Sequence, residues 1–198
     1  MTVSMLMFAI ADAGIKLTSA TLPTGEILIF LGLGGAIVFG TIATLRGEKL
    51  FVRAVLHRAL LLRMTGEMIG TVGMITALAM IPYSTTAAIT QVIPLTITMG
   101  AALFLGEAVG WQRWTAIGVG FVGVLLIIRP GLDGFDPNSA FALLAVIGLT
   151  VRDLATRKVP HHITTPVVAA YGFFILVPTG FGLLLHSGGV LAPGPTEY

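Results

Sequence analysis

The sequence predicts an all-α fold, a polytopic transmembrane helical bundle of about seven helices. Hydrophobic residues make up 56% of the 198 positions and charged residues 10%, whereas charged residues are about 25% of an ordinary soluble domain. The apolar residues form runs long enough to cross a hydrocarbon core of about 30 Å. The chain also has 25 glycines, and small residues allow membrane helices to approach closely. These observations predict an integral membrane protein.

The seven helices follow from seven apolar runs. Their approximate ranges are 2–20, 26–45, 64–81, 84–105, 113–129, 139–157 and 166–185, followed by a Gly- and Pro-rich tail at 187–198. A secretory signal is the alternative for the first run. It is disfavoured because no basic residue follows Met1 and because Asp12 interrupts the apolar stretch.

Small residues at helical spacing predict packing faces on two of these helices. They are Gly32, Ala36 and Gly40 in the second helix and Gly66, Gly70 and Gly73 in the third.

The placement of basic residues predicts the topology. Five of the 11 Lys and Arg residues lie in the predicted loop at 46–63, and basic loops stay in the cytoplasm. The amino terminus is then cytoplasmic, residues 83–85 are outside, and the protein belongs in a bacterial-type cytoplasmic (inner) membrane. Binding of nucleic acid by the basic loop is a weaker alternative, since the net charge is only +2.

Several motifs in the middle of the chain are typical of one family. They are Pro94, Leu105-Gly-Glu107, Trp111-Gln-Arg113-Trp, Gly118-x-Gly-x-x-Gly123 and Arg129-Pro-Gly131. The likeness extends back through Pro82 and Arg63 and, more weakly, to residues 8–16. Together they resemble the EamA module of the drug/metabolite transporter superfamily. The resemblance implies a ten-helix carrier of small metabolites, built from two five-helix repeats. Many relatives have an arginine early in helix 2 where this chain has Leu31, so that arginine's role is not carried over.

An internal repeat is indicated by two charged pairs. Asp12 and Lys16 are echoed by Asp153 and Arg157 at an offset of 141 residues. Five helices per period invert the second copy, which is the plan of many secondary transporters. We therefore expect a complete first repeat at 1–131 and a partial second repeat at 132–198. About three helices of that repeat would be missing, so a truncated carrier is predicted.

Ionisable residues inside a membrane helix are candidate functional residues, because burying each charge costs about 2.5–3.5 kcal/mol. Asp12 and Lys16 come first. They form either an i, i+4 ion pair that anchors helix 1 or a functional pair in which Asp12 couples protons. Glu67 comes next, and its alternative is an ion pair with Arg63 near the inner interface. Glu107 is expected to be an interface residue.

Helix 4 supplies the other candidates for a substrate cavity. Pro94 lies near its middle and leaves the carbonyl of Thr90 without its helical partner. Ser84, Gln91 and Thr98 recur every seven residues and form a polar face. The cavity candidates on this helix are thus Thr90, Gln91, Pro94 and Thr98. The alternative is a simple kink with hydroxyl groups bonded back to their own helix.

These features predict a secondary, ATP-independent transporter of small metabolites that works by alternating access. The alternatives are a non-transporting fragment, a receptor or an intramembrane enzyme. An enzyme is disfavoured because no nucleophile or metal-ligand motif is present, and His161 and His162 lack carboxylate neighbours. No cofactor or metal is expected. The expected partners are a small-molecule substrate and the lipid bilayer, with a homodimer left open.

Overall fold

The computed structural model describes residues 2–48, 50, 57–128, 136–160 and 162–186. Within these ranges the chain forms nine α-helices and no strand. They are α1 (Thr2–Thr18), α2 (Thr24–Leu45), α3 (Arg58–Met80), α4 (Tyr83–Thr90), α5 (Ile93–Leu105), α6 (Trp111–Ile128), α7 (Ser139–Thr156), α8 (Thr165–Phe174) and α9 (Leu176–His186). The prediction of an all-α helical bundle is confirmed.

Two prolines account for the difference between nine helices and the seven predicted ones. Pro94 lies in the first turn of α5, and it has no N–H to donate to the carbonyl of Thr90, where α4 ends. Pro178 has the same relation to the carbonyl of Phe174, the last residue of α8. The seventh predicted helix is therefore one span made of two segments, and the break near Pro178 was not predicted.

Five stretches are long and apolar enough to cross a membrane. They are Thr24–Leu45, Tyr83–Leu105, Trp111–Ile128, Ser139–Thr156 and Thr165–Leu185. The other two predicted spans are α1, which has 17 residues, and α3, whose apolar character is lowered by Arg63 and Glu67 in its first half.

Helix α3 begins at Arg58, six residues earlier than predicted. The ring of His57 caps this end, because its Nδ1 accepts a hydrogen bond from the backbone N–H of Ala59 at 3.3 Å. Arg58 and Arg63 therefore belong to the helix, and the predicted loop at 46–63 was too long. Residues 49 and 51–56 of that loop lie outside the described residues.

Helices α3 and α7 pack antiparallel through glycine. Gly66 faces the backbone of Arg152, and Gly73 faces the backbone of Ala145. A Cβ added to Gly148 would lie 2.3 Å from the backbone nitrogen of Gly70, a distance that no side chain can adopt. The predicted packing face of α3 is confirmed, and the two backbones touch where it lies.

Helix α2 packs in the same antiparallel way along both α8 and α9. Gly25 faces the carbonyl of Gly180, and Gly32 faces the carbonyl of Phe173. The ring of Phe173 stacks on Phe39, with 5.6 Å between the ring centroids. The predicted face of α2 is confirmed at Gly32, whereas Ala36 and Gly40 line an apolar pocket of about 150 Å³ beside α8.

Apolar side chains lie both inside the bundle and on its surface. Two buried clusters hold the helices together, one between α3, α4, α6 and α7 and one between α2, α3 and α9. Large apolar side chains are also exposed, including Phe30, Trp111, Val119 and Leu126. Such extensive apolar surface is rare on soluble monomers, and it suits helices that contact lipid.

Candidate functional site

Four charged side chains meet between α3 and α7, beside α8. Arg63 and Glu67 come from α3, and Arg152 and Asp153 come from α7. We call these four residues the charge cluster. Their formal charges cancel, which limits the cost of placing them within a membrane bundle.

Glu67 connects the two arginines. Its Oε2 lies 3.4 Å from Nη2 of Arg63, and its Oε1 lies 3.3 Å from Nη1 of Arg152. Arg152 also donates from Nε to Oδ1 of Asp153 at 2.7 Å. Arg152 therefore has two carboxylate partners at hydrogen-bond distance, whereas Arg63 has one looser contact.

The glycine contact between α3 and α7 is what brings these charges together. Gly66 precedes Glu67 on α3, and a Cβ on Gly66 would lie 2.6 Å from the backbone nitrogen of Arg152. Because neither backbone is held away by a side chain at this point, Arg152 can reach Glu67 on the facing helix. The cluster thus depends on the packing face that the sequence predicts.

Arg63 is buried without enough partners. Its side chain is 12% exposed, and that of Glu67 is 15% exposed. Nε and Nη1 of Arg63 are buried and have no hydrogen-bond partner within the described part of the chain. These two atoms carry three of the five N–H donors of a guanidinium group. Buried donors without acceptors are costly, so Nε and Nη1 of Arg63 need an acceptor that the described part of the chain does not supply.

Gly172 of α8 covers the same guanidinium group. A Cβ at this position would lie 2.5 Å from Nη1 of Arg63 and 3.3 Å from Oε2 of Glu67. Only glycine leaves room for both side chains as they stand. Helix α8 therefore forms the third wall of the charge cluster.

A polar groove lies next to the cluster, with a volume of about 530 Å³. Its walls include Arg46, Glu48, Arg157 and Thr164, and the Thr164 hydroxyl donates to the Glu48 carboxylate. Two further lining residues each lie one helical turn from a residue of the site. Thr156 follows Arg152 by four residues on α7, and Val168 precedes Gly172 by four residues on α8.

Asp12 and Lys16 do not form the predicted ion pair. The Nζ of Lys16 donates to the carbonyl of Leu78 at 2.5 Å and to that of Ile81 at 3.0 Å. Carbonyls at the end of a helix lack helical partners and attract cations, so Lys16 closes the end of α3. Asp12 has no ion pair within the described residues, and this interpretation of the pair was wrong.

The candidates on the fourth span do not join the charge cluster. The hydroxyl of Thr90 donates to the carbonyl of Thr86 at 2.9 Å, and that of Thr98 donates to the carbonyl of Pro94 at 2.8 Å. Gln91 is exposed at the break between α4 and α5. This arrangement matches the predicted alternative, a kink whose hydroxyl groups bond back to their own helix. Whether these residues face a substrate cavity stays a prediction.

Glu67 is the one predicted site residue in the cluster, and its ion pair with Arg63 is confirmed. Arg152, Asp153 and Gly172 were not predicted as site residues. The available signal was a pair of adjacent charges, Arg152 and Asp153, ending a long apolar run. Glu107 instead forms an exposed ion pair with Arg157 at 2.6 Å. Within the described residues, no group of three or more His, Asp or Glu side chains is placed to hold a metal ion.

Comparison with known proteins identifies transporters among the relatives. The chain is 29% identical over 128 residues to a riboflavin transporter of Rhizobium johnstonii, covering 65% of this chain and 42% of that protein. It is 35% identical over 81 residues to an S-adenosylmethionine uptake transporter of Rickettsia bellii, covering 41% and 28%. It is also 28% identical over 166 residues to the pseudopaline exporter CntI of Pseudomonas aeruginosa, covering 78% and 55%. No solved structure gives a significant match.

The matches cover less than two thirds of each of these relatives. The model of the EamA-like transporter family matches residues 1–129, which include α1 to α6. The family match and the five apolar stretches of membrane-spanning length both indicate a membrane protein. This chain is an integral membrane protein and belongs to the EamA-like transporter family.

Proposed function

We propose that this chain forms part of a secondary transporter of small metabolites, one that uses no ATP and holds no cofactor. The observation that carries the proposal is the buried charge cluster in a member of a transporter family. Ionisable groups inside membrane bundles are costly and mark substrate or ion pathways. The charge cluster is thus proposed to line the route of the substrate.

The proposed inverted repeat has support from the helix positions. Helix α2 begins at Thr24 and α8 at Thr165, a separation of 141 residues, which equals the offset between Asp12 and Asp153. Helix α2 would therefore correspond to the span formed by α8 and α9. These two spans are antiparallel neighbours, as inverted copies related by a two-fold axis in the membrane plane would be.

The contacts between these spans follow the same offset. Gly32 and Phe173 are in contact and are themselves 141 residues apart, so the pair maps onto itself when the repeats are exchanged. The contact between Gly35 and Phe173 then maps onto the contact between Gly32 and Leu176, which also occurs. These pairs support a local two-fold relation near Gly32 and Phe173.

Alternating access would be motion of repeat 1–131 against repeat 132–198. The two proposed repeats meet where α7 packs on α3, α4 and α5 and where α2 packs on α8 and α9. Glycine faces backbone at several points of the α3–α7 contact, whereas the contact of α2 with α8 and α9 also holds large side chains such as Phe173.

We further propose that the protein lies in the cytoplasmic membrane with its amino terminus in the cytoplasm, on the basis of the basic loop. Arg63 lies five residues into α3, or about 8 Å from its start. The charge cluster and the polar groove would then lie towards the cytoplasmic side. The riboflavin and S-adenosylmethionine transporters among the relatives make these compounds the first substrates to try.

The test is a transport measurement on cells that express the gene for this chain and on cells that carry an empty vector. Uptake and efflux of radiolabelled riboflavin, S-adenosylmethionine and a panel of small metabolites would be compared. At least one compound should move faster in expressing cells, and its movement should stop when the ion gradients are collapsed but not when only ATP is depleted. Equal rates in both cell types for the whole panel, with the protein present in the membrane, would refute the proposal.

A further inference from the structure

The strongest unexplained feature of the bundle is the set of buried donors on Arg63. We propose that Arg63 is the binding point for a carboxylate group of the transported molecule. The acceptor oxygens would meet Nη1 together with Nη2, or Nε together with Nη2, because these are the two edges of a guanidinium group that present paired donors. Nε and Nη1 are the two nitrogens that have no partner in the described chain. This inference rests on the proposed transport function and adds the chemical class of its substrate.

The ion pairs favour Arg63 over Arg152 as the binding residue. Arg152 donates to Asp153 at 2.7 Å and to Glu67 at 3.3 Å. Within the described residues, the ion pair of Arg63 is the 3.4 Å contact between Nη2 and Glu67, and Nε and Nη1 have no hydrogen-bond partner. Arg63 therefore has unused donors, whereas Arg152 is engaged by two carboxylates. Guanidinium groups bind planar carboxylates with paired N–H donors.

The charge balance favours a singly charged group. The cluster contains two cations and two anions, and only Arg63 is loosely compensated. One carboxylate would occupy one edge of this guanidinium group and would give the neutral cluster a net charge of −1. A doubly charged phosphate would give −2 and would be repelled more strongly by Glu67.

Access to Arg63 would come from the polar groove. The groove reaches Thr156 and Val168, each one helical turn from a residue of the site, namely Arg152 and Gly172. Gly172 lies on α8, which ends at Phe174 next to the break before Pro178. Entry would require a displacement of α8 from Arg63, and the hydrogen bond missing at Pro178 is where the span could bend. A carboxylate could then enter between α3 and α8.

The test measures binding rather than transport, with benzoate as the probe and benzamide as its uncharged equivalent. Saturation-transfer NMR on the purified protein in detergent would detect both. We expect benzoate to give a saturable signal and benzamide to give none. Arg63→Gln should weaken benzoate binding by about tenfold or more, which is the effect of losing a charged hydrogen bond. Arg58→Gln, the matched change at an exposed arginine of the same helix, should leave binding unchanged.

Two further variants keep the test decisive if Arg63→Gln does not fold. The double variant Arg63→Gln with Glu67→Gln preserves the net charge of the cluster and should also lose benzoate binding. Gly172→Ala keeps all four charges but forces Nη1 of Arg63 to move, and it should weaken binding. The inference fails if benzoate and benzamide bind alike, if neither binds, if phenylphosphate binds more tightly than benzoate, or if the Arg63 variants bind normally. Because no step requires transport, failure of the proposed function would show in the transport measurement alone.

Discussion

Replacing Glu67 by Gln should destabilise the protein strongly, because it removes the one carboxylate in the described part of the chain that contacts both Arg63 and Arg152. Removing one partner of a fully buried ion pair costs about 3–5 kcal/mol, whereas an exposed pair contributes about 0–1 kcal/mol. The side chains of Arg63 and Glu67 are 12% and 15% exposed, and Arg152 retains Asp153. We therefore expect a loss of about 2–4 kcal/mol.

The assay is unfolding of the purified protein in mixed detergent, with Glu107→Gln as the matched control. That change breaks the ion pair between Glu107 and Arg157, in which the side chain of Arg157 is 43% exposed and that of Glu107 is 50% exposed. It should cost less than about 1 kcal/mol. The double variant Arg63→Gln with Glu67→Gln should be more stable than Glu67→Gln alone, because it has no buried, unpaired charge at position 63. Equal losses for Glu67→Gln and Glu107→Gln, or a double variant less stable than the single one, would refute this reasoning.

Three further outcomes are expected. Gly148→Ala should cost about 1–3 kcal/mol in the same unfolding assay because its Cβ would meet the backbone of α3, whereas Gly123→Ala, with nothing within 4 Å, should be neutral or slightly stabilising. Lys16→Met should cost about 1–2 kcal/mol by leaving carbonyls of α3 unpaired, whereas Lys158→Met, at an exposed position, should have little effect. In intact cells, an impermeant maleimide should label Ser84→Cys but not Arg53→Cys, and the reverse pattern would overturn the proposed topology.

The fold could be predicted from the sequence because its main determinants are local. Apolar runs define the spans, and glycine at regular spacing defines packing faces, such as Gly66, Gly70 and Gly73. Pro94 placed one helix break correctly. The break at Pro178 has the same local cause and could have been predicted in the same way.

The site was harder to predict because it depends on which helices meet. Glu67 could be selected as a charge within an apolar helix, and Arg63 as its neighbour one turn away. The partner Arg152 lies 85 residues after Glu67, and nothing local to either residue indicates that α3 and α7 are in contact. Lys16 shows the same limit, since its carbonyl partners on α3 are 62 and 65 residues away. The oppositely charged neighbour at i, i+4, Asp12, was the wrong choice there.

The most direct test of the central claim, that the charge cluster lines the transport route, is the transport rate of two matched variants. Arg63→Gln and Arg58→Gln remove the same charge from the same helix, but Arg63 is buried in the cluster and Arg58 is exposed. With rates normalised to the folded protein in the membrane, Arg58→Gln should transport the identified substrate normally. Arg63→Gln should transport it at about one tenth of that rate or below. Equal rates for the two variants would contradict the account.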